Sequence, residues 1–143
     1  MFLDELIIKY EGCKLKSYKC PAGVWTIGYG ITYFPDGTPV KEGDEITKEF
    51  AEVLLVDYIK KNIMPVFDKI PYKLSENQKC AIASLCYNVG VPAFLKSKLF
   101  TAICNKDYAE ICRNWDWYKA NGKVMKGLVK RRVEELHYFI KDI

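Results

Sequence analysis

Three short stretches decide how this chain reads: Tyr10-Glu11-Gly12, Tyr18-Lys19-Cys20-Pro21 and Trp25-Thr26-Ile27-Gly28-Tyr29-Gly30. Before the first of them, Leu3, Leu6, Ile7 and Tyr10 recur at helical spacing, and Gly12 stops the helix. Residues 13 to 38 change character. Short runs rich in Tyr, Val, Trp, Ile and Thr are broken by Cys20-Pro21-Ala22-Gly23 and by Pro35-Asp36-Gly37. These breaks are turn signals between short strands, so a small antiparallel sheet is expected. Glu11 then falls where a helix ends and a sheet begins.

Working outward, the rest of the chain reads as helix. Thr47 can cap a helix whose apolar face holds Phe50, Ala51, Leu54, Leu55 and Tyr58. This long helix, expected over 48–63, would connect two lobes. Ser75 with Gln78 three residues on is a capping-box pattern, opening a helix through Ala81, Ile82, Leu85 and Cys86 that Gly90 ends. Asp107 and Glu110 repeat the pattern before Ile111 and Trp115. A last helix starts near Lys126, and its inner stripe reads as Val129, Val133, Leu136 and Ile140. Arg131, Arg132, Glu134 and Glu135 then lie mostly off that stripe, and Lys130-Arg131-Arg132 reads as a source of helix-surface ion pairs. The fold class expected is α+β, a small antiparallel sheet beside a mostly helical lobe. The sheet lobe would span about residues 12–60, and the helical lobe residues 1–11 and 61–143, within a single domain.

The composition agrees. With 143 residues, half of them hydrophobic, the chain can bury a core without metals or disulfides. Its charged residues, 28% of the total, are mixed in sign, so nothing reads as disordered. A net charge of +4 is compatible with solubility alone or with weak attraction to an anionic polymer. No run approaches the roughly 18 to 20 apolar residues of a membrane span. Met1 to Tyr10 contains Asp4, Glu5 and Lys9, which does not suit an export signal, so synthesis in a cytoplasm is expected. The cysteines at 13, 20, 80, 86, 104 and 112 lack zinc-knuckle spacing. In a reducing compartment they read as free thiols, with Cys80, Cys86, Cys104 and Cys112 as small core residues. No metal and no cofactor is expected.

A Glu at a helix C-terminus meets the negative end of the macrodipole, which disfavours ionisation, and partial burial would add to this. A protonated Glu near neutral pH can hand its proton to a leaving oxygen. By itself such a Glu is usually only a solvated charge. Thr26, likewise, is by itself a good strand former.

The spacing Glu11, eight residues, Cys20, five residues, Thr26 resembles the active-site signature of the phage-type lysozymes, the endolysins of glycoside hydrolase family 24. The resemblance is wider than these three positions. Leu6 to Gly12 is similar to the family's first helix, and Thr26 to Gly30 to its sheet strand and turn. Gln78 to Ala83, Tyr87-Asn88-Val89-Gly90, Phe94 and Ser97-Lys98-Leu99 resemble its central helix and following turn, and Gly127 to Arg132 with Glu135 its closing helix. The sequence departs from the family at Ile31, where a His is usual.

The resemblance implies a lysozyme-like two-lobed fold and hydrolysis of the β-1,4 bond between N-acetylmuramic acid and N-acetylglucosamine in bacterial peptidoglycan. It implies inversion, with Glu11 as the acid and with Cys20 and Thr26 holding the attacking water. A neutral thiol is a poor base, so Cys20 could serve as base, as water orienter beside Thr26, or as a nucleophile giving retention. The implied setting is a monomer acting on glycan strands after holin-type release from the host cytoplasm, with neither a nucleic-acid partner nor stable membrane association. Tyr87 and Ser97 are candidate sugar contacts, with Thr32 and Asn88 weaker ones. Phe94 reads as packing, Trp25, Trp115 and Trp117 as core or cleft wall, and the lone His137 is given no role. Two competitors stand beside this reading: a module that binds glycan without cutting it, and a thiol enzyme built on Cys20.

Overall fold

The computed structural model describes residues 2–143. A short 3-10 turn at Phe2–Asp4 leads into α1 (Glu5–Glu11), which Gly12 ends. Strands β1 (Lys14–Lys19) and β2 (Trp25–Gly28) form an antiparallel pair, with Tyr18 opposite Thr26 and Lys19 opposite Trp25. The turn between them closes with Cys20 N donating to Val24 O at 3.0 Å and Gly23 N to Cys20 O at 2.8 Å. Single bridges extend the sheet into the next loop, pairing Ile27 with Ile31, Tyr33 with Pro39 and Lys16 with Glu45.

Helix α2 (Lys48–Tyr58) starts on the Thr47 hydroxyl, which accepts from Phe50 N at 3.1 Å. It runs on through a π-helical turn, Ile59–Ile63, into α3 (Met64–Phe67), so the helical path exceeds the expected 48–63. Helix α4 (Glu76–Val89) opens on the expected capping box of Ser75 and Gln78. Residues 80 to 86 are all buried, so α4 is surrounded on every side. Its small residues, Ala81, Ala83 and Ser84, allow α1 and α8 (Lys126–Ile140) to approach it closely. Helices α5 (Val91–Leu95), α6 (Lys98–Cys104) and α7 (Tyr108–Asn114) complete the helical part. The core joins Ile7, Leu55, Ile59, Ile82, Leu85, Phe94, Leu99 and Phe139.

Three expectations need correction. The chain is not helical throughout after residue 47, because β3 (Lys119–Ala120) and β4 (Lys123–Val124) form a second hairpin. Its turn is Asn121-Gly122, both at positive φ (52° and 75°), a pair of residues suited to a tight hairpin turn. Cys112 is exposed and Cys104 only partly buried, so neither is a core residue.

The third correction concerns α8. Arg131, Arg132, Glu135 and Phe139 are buried, whereas Val133 is 63% and Ile140 37% exposed. The helix turns its charged stripe inward because those charges find partners on α1, on α4 and in the segment just after α7, as described below. Helical periodicity marks both stripes, and only the partners decide which is inside. Val133→Lys is therefore expected to change stability by less than about 0.5 kcal/mol. Phe139→Ala is expected to cost roughly 3 to 5 kcal/mol. Urea denaturation of the two variants checks this, and the reverse order would contradict the orientation of α8.

Candidate active site

Glu11 is the last residue of α1, at the point where the chain leaves the helix for the sheet. Its Oε2 accepts from Arg131 Nη1 at 2.6 Å, across 120 positions of sequence. The Arg131 side chain is only 5% exposed, against 21% for Glu11. Arg131 is itself held, because Nε donates to Ser84 Oγ and Nη2 to Ser84 O, each at 3.1 Å. Ser84 Oγ then donates to Glu135, which is fully buried. Glu135 also accepts from Arg132 Nη2 at 2.8 Å and from Trp115 Nε1 at 3.1 Å. A buried carboxylate with this many donors is compensated, and it fixes both guanidinium groups.

Gly30 lies against the free side of Glu11. A Cβ at this position would stand 3.5 Å from Glu11 Oε1 and 4.0 Å from the Tyr87 ring, and φ is 94°. Glycine therefore lets the backbone follow the carboxyl without filling the space beside it. That space opens into a pocket of about 180 Å³ lined by Gly30, Ile31, Thr32, Tyr33, Tyr58 and Tyr87. Two expected sugar contacts, Thr32 and Tyr87, thus line a pocket that begins at Gly30, beside Glu11. Tyr87 donates from its hydroxyl to Tyr29 O at 2.6 Å and meets the Tyr58 ring edge-on at 5.2 Å. Burial raises its pKa, and the nearby Glu11 charge adds to the rise.

Cys20 and Thr26 come together at the turn end of the β1–β2 hairpin. Their side chains lie within hydrogen-bonding reach. The Thr26 hydroxyl also donates to Val24 O at 2.9 Å. The Cys20 thiol is held below its ordinary pKa, chiefly by the backbone N–H of Val24, then by that of Ala22, with the Thr26 side chain adding to the effect. Tyr18, across from Thr26, lies near enough to interact with both Cys20 and Glu11. It therefore stands within electrostatic reach of both the hairpin turn and Glu11, a position that sequence reasoning did not single out.

Ser97 belongs to a different local structure. Its hydroxyl caps α6, accepting from Phe100 N at 3.1 Å and donating to Phe94 O at 2.6 Å. Asn88 directs its carbonyl to Arg132 Nη1 at 2.9 Å. Phe94 and Trp115 are core residues. Arg131, Glu135 and Ser84 escaped the sequence reading. The one signal for them was an Arg-Arg-x-x-Glu stripe at helical spacing that could satisfy itself internally.

The phage lysozyme family model matches residues 8–135. The chain belongs to the phage lysozyme family. Its function is that of the family, the hydrolysis of bacterial peptidoglycan. An endolysin of Acyrthosiphon pisum secondary endosymbiont phage 1 is 40% identical over 140 residues, covering 94% of this chain and 92% of the relative. The endolysin from Escherichia coli O157:H7 phage FAHEc1 superposes with a TM-score of 0.85 at 30% identity, covering 99% of this chain and 92% of that one. The muramidase domain of SpmX from Asticaccaulis excentricus gives 0.82 at 29% identity, with coverage of 96% and 94%. Among the described residues no helix is long and apolar enough to cross a membrane.

The thiols differ enough to separate chemically. Burial pushes Cys80 up to about 11 and Cys86 up to about 12, while Cys20 lies below its ordinary value. A lower pKa means more thiolate at a given pH, so iodoacetamide should modify Cys20 well before Cys80 or Cys86 between pH 7 and 9. Mass spectrometry of peptides from partly modified protein reads the order. Labelling of Cys86 ahead of Cys20 in folded protein would contradict this account.

Proposed function

We propose that Glu11 is the general acid of an inverting muramidase. The carrying observation is its position: the carboxyl is fixed by a buried arginine and faces a pocket that Gly30 keeps open. In this reading protonated Glu11 gives its proton to the oxygen bridging N-acetylmuramic acid and N-acetylglucosamine. As the proton leaves, negative charge grows on the carboxylate, and Arg131 is already in place to stabilise it. A water attacks the anomeric carbon from the opposite face. Its oxygen forms the new bond as the glycosidic bond breaks, and its proton leaves through the Cys20–Thr26 pair. Inverting glycosidases keep acid and base roughly 6.5 to 9.5 Å apart to leave room for that water. Thr32 and Tyr87 contact the sugar next to the cleaved bond. Ser97, occupied as a helix cap, supports the segment after α4. The enzyme works as a monomer on the wall of its host once a membrane lesion admits it.

The lowered Cys20 thiol favours a second reading, because more thiolate also makes a better nucleophile. Cys20 would then bond to the anomeric carbon, and water would later displace it with retention.

Glu11→Gln should reduce release of reducing ends from purified peptidoglycan by roughly 10²-fold or more. Cys20→Asp should keep lytic activity, since a carboxylate can take a proton from water. Proton NMR of the first products separates the two readings: the α-anomer indicates inversion and the β-anomer retention. A fully active Glu11→Gln enzyme would sink both.

A further inference from the structure

The face of the β1–β2 hairpin that carries Cys20 and Thr26 carries one more polar side chain. Tyr18 is paired with Thr26 across the two strands, and directly opposed residues of an antiparallel pair share a face. Cys20 follows Tyr18 by two positions, which strand alternation places on the same face. Lys19 and Trp25, the next opposed pair, fall on the other side, where Lys19 Nζ stands 5.5 Å from the centre of the Trp25 ring. Thr26 is only 4% exposed, against 38% for Tyr18. Tyr18 is therefore the part of this face most open to a ligand.

Its neighbours come from three elements. Glu11 at the end of α1 and Cys20 in the turn are both near enough for their charges to act on the Tyr18 phenol. Tyr87 on α4 is likewise within electrostatic reach of Tyr18. Burial pushes the phenol's pKa up, and Cys20 and Glu11 add to the rise, so the hydroxyl keeps its proton at neutral pH. Tyr10, Tyr72, Tyr87 and Tyr138 each donate their hydroxyl to a carboxylate or carbonyl of the protein. Among the described residues no such acceptor takes the hydroxyl of Tyr18. A protonated donor, open to a ligand and not committed to the protein, is what a hydrogen bond to substrate needs.

We propose that Tyr18 is a further substrate-contacting residue of the hydrolysis, its hydroxyl donating to an oxygen of the sugar whose anomeric carbon is attacked. The inference rests on the reading of Glu11 as the acid, with Cys20 and Thr26 on the far side of the reaction. In that reading the reacting N-acetylmuramic acid lies between the carboxyl and the thiol, so a side chain within reach of both borders its ring. The placement is the same whether water or the sulfur approaches the carbon, since both come from the Cys20 side. Glycoside cleavage distorts the ring toward a half-chair or boat, and hydrogen bonds that strengthen in the distorted state lower the barrier. A donor on a two-stranded hairpin, held in register with Thr26, is fixed before the ring arrives.

Tyr18→Phe removes the hydroxyl and keeps the ring. On soluble peptidoglycan fragments kcat should fall about tenfold, the worth of one hydrogen bond made in the transition state, with KM within about twofold of wild type. The melting temperature should stay within about 2 °C, as for a surface substitution that leaves packing alone. A second measurement reads the contact itself. In Glu11→Gln protein carrying tyrosine labelled with ¹³C at Cζ, adding the fragments should move the Tyr18 signal and leave that of Tyr108, exposed on α7, in place. The Tyr18 signal is assigned by its disappearance in the Tyr18→Phe protein. A Tyr18→Phe enzyme with wild-type kcat, or a Tyr18 signal that the fragments do not move, would overturn the proposal. Glu11→Gln assayed in parallel keeps the two ideas apart: full activity there removes the acid, whereas full activity in Tyr18→Phe alone removes only the role of Tyr18.

Discussion

The contact between Arg131 and Glu11 joins the last helix to the first, and the site depends on it. One partner is the last residue of the first helix, and the other is on the last helix. An exposed ion pair of this kind would contribute little and hold nothing still. Here Arg131 is buried and itself clamped by Ser84 on the central helix. Behind Ser84 stands Glu135, which also takes donors from Arg132 and Trp115. Removing one member of such a cluster leaves a buried charge uncompensated, a larger cost than the net worth of any single bond. The same connections that keep α8 on α4 therefore fix the orientation of the carboxyl.

On the other side of the carboxyl the demand is for open space. The glycine at position 30 and the tight hairpin 32–40 form a wall that approaches Glu11 without covering it. The pocket this leaves shares Ile31, Tyr33 and Tyr58 with a second groove against α2. A polymer substrate needs such a passage, since both its ends must pass out of the site. The sheet contributes in a second way by bringing the Cys20–Thr26 pair to one end of a two-stranded hairpin, with Tyr18 opposite Thr26 and within electrostatic reach of Glu11. In the inverting reading proposed above Cys20 takes the place of a base, which is unusual for a thiol. The turn N–H groups of Val24 and Ala22 lessen the difficulty by lowering its pKa.

Much was legible in the sequence. The spacing of Leu3, Leu6, Ile7 and Tyr10 with Gly12 marked α1, and Thr47, Ser75 and Gln78 marked two helix starts. Turn residues at 20–23 and 35–37 marked the sheet. These features are local, set by backbone preferences and by hydrogen bonds a few residues long. The pattern singled out Glu11, Cys20 and Thr26, and the fold brings the last two together at one hairpin turn, whereas the arginine that pairs with Glu11 was not singled out.

What the chain order determined alone was the set of helices and turns, the end of α1 at Glu11 and the hairpin that carries Cys20 and Thr26. Tertiary structure decided which face of α8 is inside, and it chose the charged one over the apolar stripe. It also decided that Arg131 meets Glu11, that Ser97 caps a helix, and that two pockets share Ile31, Tyr33 and Tyr58. The physical reason is that burying a charge is unfavourable or tolerable depending on its partners, and here those partners are side chains 20 to 120 positions distant. No local pattern contains that distance, so only the packed molecule could supply it.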